Sequence, residues 1–162
     1  MATLSSLLSK FGLKNLKLNA GFMQMEFESS NATRQAAWEL YVELLTRVAT
    51  QALEDGEGDE EAALKSLYAL FPVTREILRK SGPDSVRIAY IAIPFLNQVV
   101  RPFTSKWHPR ALNGDLSRAD CKQEFRTDLA FVRRLVSGYA DLMGELADVE
   151  LERVGATELQ AR

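Results

Sequence analysis

The spacing of apolar residues changes along this chain, and each change predicts a different element. Leu4, Leu7, Leu8 and Phe11 recur at helical intervals and predict a short amphipathic segment over residues 1–12, docked on a core or a partner. Over 13–28 the period drops to two. Leu16 and Leu18 alternate with lysines and asparagines, and Met23, Met25 and Phe27 with Gln24, Glu26 and Glu28. With Ala20-Gly21 able to supply a tight turn, the pattern predicts a β-hairpin over 13–28. A lone hairpin is marginal in water, so its apolar face must lean on helices or its edge must pair with another chain.

Beyond residue 30 the period is helical. Ala37, Leu40, Tyr41, Leu44, Val48 and Ala52 form one stripe of a helix over about 31–54, widened by Trp38 and Leu45 and capped by Ser29, Ser30 or Asn31. The acidic run 54–61, EDGEGDEE, interrupts it; without regular calcium-loop spacing it reads as a solvated turn whose acids favour the next helix N-terminus. That helix, over 59–80, carries Leu64, Leu67, Tyr68, Phe71, Ile77 and Leu78, is bent or divided near Pro72 and is stopped by Gly82-Pro83.

The stretch 84–112, DSVRIAYIAIPFLNQVVRPFTSKWHPRAL, organises the rest. It leaves almost no polar face between 88 and 96, which predicts a helix surrounded by others, with Asp84 or Ser85 as its cap. Pro94 and Pro102 lack an N–H, so a kink is expected near 94 and a restart near 102, with a second short helix to about Trp107. A membrane span needs about 20 apolar residues; this run meets Asn97, Gln98 and then Arg101.

The last helix, over about 118–150, follows a capping-box variant at Ser117 and Asp120. Phe125, Leu129, Val132, Val136, Tyr139, Met143 and Leu146 give it a heptad-like seam. At 1.5 Å per residue it would reach about 48 Å, so part of it is expected to project or meet a second copy. Gly138 and Gly144 mark close helix crossings or a bend, and 151–162 is a polar tail. The whole chain, 1–162, reads as one all-α domain: a four- to five-helix bundle over 31–150 with a kinked central helix, plus the short N-terminal β-hairpin.

Composition narrows the function classes. The 162 residues are 46% apolar and 26% charged, and Lys+Arg 20 against Asp+Glu 22 gives a net charge of −2, which predicts no global attraction to nucleic acid or anionic lipid. The single Cys121 forbids an internal disulfide, and the N-terminus lacks the basic and apolar regions of a secretory signal, so a cytoplasmic protein is expected. One histidine and one cysteine make no zinc site by themselves. No glycine-rich strand-to-helix loop or nucleophile elbow is present, and no cofactor is expected.

One segment retains chemical interest, R-P-F-T-S-K-W-H, from Arg101 to His108. An arginine and a histidine separated by six residues, in an all-helical chain, resemble the R-x(4 to 6)-H motif of HEPN-type ribonucleases. That resemblance implies metal-independent RNA cleavage, with His108 moving protons near neutral pH and Arg101 stabilising charge on phosphorus. Pro102 and Pro109 depart from the family pattern. Lys106, Arg110, Lys122, Arg126, Arg133 and Arg134 offer a basic face for RNA or a partner, and Trp107 a base-stacking ring. The competing reading puts Trp107 in the core or an interface, uses His108 to cap helix carbonyls, and pairs the arginines with Glu124, Asp128 and Asp141. The leading expectation is a non-catalytic bundle acting through protein–protein contacts, as a homo-oligomer or the small subunit of an assembly. The ribonuclease is the alternative, and a ligand-sensing bundle with an apolar pocket near Pro94 is a third possibility.

Overall fold

The computed structural model describes residues 2–27, 29–47 and 59–149. The described residues are mostly helical: α1 (Leu4–Lys10), α2 (Ala20–Met23), α3 (Asn31–Leu45), α4 (Glu60–Tyr68), α5 (Leu70–Ser81), α6 (Val86–Phe95), α7 (Arg101–Leu112) and α8 (Ala119–Ala147). No strand forms among them.

The expected hairpin over 13–28 is therefore corrected. Among the described residues its only β-type pairing is an isolated bridge between Thr3 and Glu26. Leu13 and Leu16 both turn into the core, three apart, across a turn closed by the Leu16 N–H on the Leu13 carbonyl. The Asn19 side chain accepts from the Gly21 N–H, so Ala20-Gly21 opens a helical turn instead of joining two strands. The Lys17 backbone finds its partners in one side chain: its N–H donates to Gln98 Oε1 at 2.8 Å, and Gln98 Nε2 donates to its carbonyl at 2.7 Å. The amide of Gln98 takes the place of a cross-strand neighbour. In contrast, the N-terminal segment is helical as its spacing suggests, capped by Thr3, with Leu4, Leu7 and Leu8 buried.

Ser30 caps α3 by accepting from the Thr33 N–H. Thr33, Ala36, Ala37, Leu40, Tyr41 and Leu44 are buried along it, and α3 lies along α8. The helix stops at Thr46; Val48 and Ala52, like most of the acidic run, lie outside the described residues. Asp59 caps α4 through Glu61 N–H. The break between α4 and α5 falls at Ala69, which puts Pro72 in the first turn of α5, where its missing N–H costs no helical bond. Gly82 ends α5 at φ 70°, a left-handed value that disfavours side chains.

The start of α8 differs from the capping-box expectation. Ser117 sits in a 3₁₀ turn and donates to the Gly114 carbonyl, Arg118 occupies the cap position, and Asp120 accepts from the Arg118 guanidinium. Nor does α8 project. Its 29 residues, about 43 Å at the helical rise, are buried on one face from Cys121 to Ala147 by the chain itself. Phe95 stacks on Tyr139 at 4.0 Å, and Phe125 meets Trp107 edge-on at 5.0 Å and lies tilted against Phe103 at 5.3 Å. Aromatic contact thus fixes the central helix to α8.

The Tyr139 hydroxyl is buried with no hydrogen-bond partner among the described residues, and burial pushes its phenol well above the ordinary range. A buried unpaired hydroxyl costs about 1–3 kcal/mol. Tyr139→Phe keeps the ring stack and removes that cost, so urea denaturation is expected to show a gain of about 1 kcal/mol; a loss of that size would reveal a partner for the hydroxyl.

Candidate functional site

The central segment holds two surfaces, one on each side of a widened turn. In α6, Ile88, Ile91, Ala92 and Phe95 are buried, yet Val86, Tyr90 and Ile93 are 42%, 38% and 50% exposed. Those three positions follow i, i+4, i+7, so they form one apolar stripe along the open side of the helix. The expectation of a helix surrounded on all sides is corrected: α3 and α5 pack against α6, while Val86, Tyr90 and Ile93 stay exposed and α2 touches that side. There Phe22 meets Tyr90, with ring centroids 3.6 Å apart. Charge is absent from the chain between Arg87 and Arg101. Arg87 itself is turned toward the N-terminal segment, donating to the Glu26 carbonyl at 3.3 Å and lying over Phe27.

Next comes a π-helical turn, Leu96–Val100, closed by the Arg101 N–H on the Leu96 carbonyl. Pro94 and Pro102 remove the donors that would have reached Tyr90 and Gln98, and the chain responds with a wider turn rather than a break. The restart at 101 agrees with expectation, but α7 continues past Trp107 to Leu112. Neither Asp84 nor Ser85 caps α6: Ser85 sits at its start, and its hydroxyl donates to the Gly82 carbonyl.

In α7 the buried side carries Phe103, Thr104 and Trp107, while Arg101, Ser105 and His108 are exposed. Arg101 and His108, seven positions apart, share one helix face and line the same groove, of about 410 Å³, against Tyr68, Phe71 and Arg75. Arg101 is held in place: its Nε donates to Asn97 Oδ1 at 3.1 Å and its guanidinium lies 4.8 Å over the Phe71 ring. The His108 imidazole stacks on Tyr68, 6.0 Å apart at 16°, and no hydrogen bond to a helix carbonyl is formed by it among the described residues. Beyond that ring pair lies an apolar groove of about 310 Å³ lined by Leu64, Ala111 and Leu112, with Glu61 and Lys65 at its edge.

The basic face expected from sequence is largely neutralised. Lys106 sits 2.7 Å from Asp128 and 2.9 Å from Glu124, and Arg110 lies 3.0 Å from Glu124. These bonds hold the Lys106 ammonium above its ordinary pKa and the Glu124 carboxyl below its own. Arg110 also donates to Cys121 Sγ, which lies buried. Trp107 is fully buried, donates to Asp128 at 3.0 Å and cannot stack a base. Arg126 pairs with Glu60 at 2.9 Å. Burial, and then Arg126, lowers the pKa of the half-buried Arg133. Arg134 lies over the exposed Phe131, and Lys122 points to solvent.

Sequence reasoning missed Tyr68, Phe71 and Arg75 as partners of Arg101 and His108. Nothing in the α5 pattern announces which neighbour its polar side faces. Among the described residues no group of His, Cys, Asp or Glu is placed to hold a metal ion, and no helix is long and apolar enough to cross a membrane. Compared with known proteins, the chain matches no family, no curated protein and no solved structure. Its class is therefore what its own coordinates define, a mostly helical bundle.

Proposed function

We propose that this chain is a non-catalytic bundle that works by protein–protein contact, and that the open face of α6 is where a second copy docks. The observation that carries this is the uncharged stripe of Val86, Tyr90 and Ile93 beside Phe22. An uncharged face packs against its own two-fold copy without stacking like charges or burying an unpaired ion. The seam of α8 is covered within the chain, and α6 carries three of the eight exposed large apolar side chains among the described residues. The patch is small, so the contact belongs with weak interfaces below about 1,200 Å² of total buried area.

Ile93→Glu puts a charge in the middle of that face while leaving the buried side intact. Sedimentation velocity is expected to show self-association weakened at least tenfold, with the unfolding midpoint unchanged. Association equal to that of the wild type would remove α6 from the interface.

A further inference from the structure

The groove between α5 and α7 is not used by this contact. It gathers Arg75, Arg101, Ser105 and His108 on walls that hold no carboxylate. Neither arginine is ion-paired among the described residues, whereas Lys106, Arg110 and Arg126 nearby all are. Arg101 is also fixed in orientation by Asn97 and Phe71, through its Nε and its ring-facing side, which leaves both Nη groups free to donate. A guanidinium already held in place, with a second one in the same groove, fits a phosphate group, whose oxygens accept from such forks in pairs.

Two helical turns away, about 10 Å along the axis, the Tyr68–His108 pair presents a flat aromatic surface that opens on the apolar groove at Leu64 and Leu112. Arg101, Tyr68 and His108 line one groove, so a single ligand that carries a charged group and a flat ring can reach both ends. We infer that this groove binds a nucleoside phosphate, free or at the end of a strand, with the phosphate on Arg75 and Arg101 and the base against Tyr68 and His108. Stacking on aromatic side chains tolerates any base, so the site reads charge and planarity, not sequence.

The test is calorimetric titration of the whole protein with AMP, with inorganic phosphate, with a six-nucleotide single-stranded RNA and with a glutamate-rich peptide. Wild type and the Arg75→Ala/Arg101→Ala double variant are compared after circular dichroism confirms that both are folded. AMP is expected to bind at least tenfold tighter than inorganic phosphate, and the double variant to lose at least tenfold. The RNA binding in place of AMP, with the same dependence on both arginines, supports the site and makes a strand the source of the nucleotide. The inference is overturned if neither ligand binds, if the double variant binds as well as wild type, or if a glutamate-rich peptide is bound in preference to both. Repeating the titration in Ile93→Glu separates this site from the α6 contact: nucleotide binding is expected to persist whether or not the copies associate.

Discussion

Gly138→Ala is expected to cost about 3 kcal/mol or more. A methyl group on Gly138 would collide with the backbone carbonyl of Phe11, where α1 leaves its last turn and crosses α8. Backbone has no rotamer to yield, so the two elements must separate, and Leu8 and Leu13, both buried beside this crossing, lose their packing. Gly144→Ala is the control. Its methyl would meet the Tyr41 ring at 3.0 Å and the Val149 carbonyl at 3.1 Å, a tight fit in which the ring can shift, so a smaller loss of about 1–2 kcal/mol is expected. Urea denaturation of the three proteins orders them directly, and equal stability of Gly138→Ala and wild type would contradict the close crossing.

Trp107→Ala is the second large effect, expected at about 3–5 kcal/mol, the usual range for removing a buried tryptophan. The indole is fully buried against Phe125, has Arg110 over it at 4.3 Å, and donates to Asp128, the same carboxylate that Lys106 holds. Its loss empties the joint between α7 and α8 and deprives Asp128 of one donor. Trp107→Phe, which keeps most of the ring but not the N–H, is expected to lose about 1–2 kcal/mol. If both variants cost the same, the hydrogen bond and not the ring volume would be what matters at this joint.

The helical bundle was legible because burial writes itself into spacing. The stripe of α3 and the seam of α8 lie on the faces their periods indicate, and Gly82 stops α5 where a left-handed residue is needed. The failures have a common physical cause. Alternation over 13–28 looked like a strand, but Gln98, remote in sequence, satisfied the Lys17 backbone, and Asn19 started a helical turn. Tertiary partners of that kind leave no local trace. The apolar run in α6 reads as buried all round, because hydrophobicity counts how many faces are greasy and not how many neighbours the topology supplies. Only coordinates separate the buried Ile91 from the exposed Ile93.

The candidate site was legible in half. Arg101 and His108 stood out as an arginine and the only histidine near two prolines, and the fold does bring both to one exposed groove. The other half, Tyr68, Phe71 and Arg75, comes from α4 and α5. The competing reading names Glu124 and Asp128 as acidic partners, and the fold pairs Arg110 with Glu124 and Lys106 with Asp128; the partner of Arg126, Glu60, comes from a remote helix and left no sign in the spacing. Charge on a helix is free or spent depending on what the fold places across from it.

The most direct test of the central claim is the molar mass of the wild-type chain by light scattering, followed from low micromolar to several hundred micromolar protein. A chain of 18.1 kDa whose open α6 face pairs with its own copy is expected to rise steadily toward twice that mass, and Ile93→Glu to stay at the monomer value. A wild-type mass fixed at 18.1 kDa across the whole range would contradict the account.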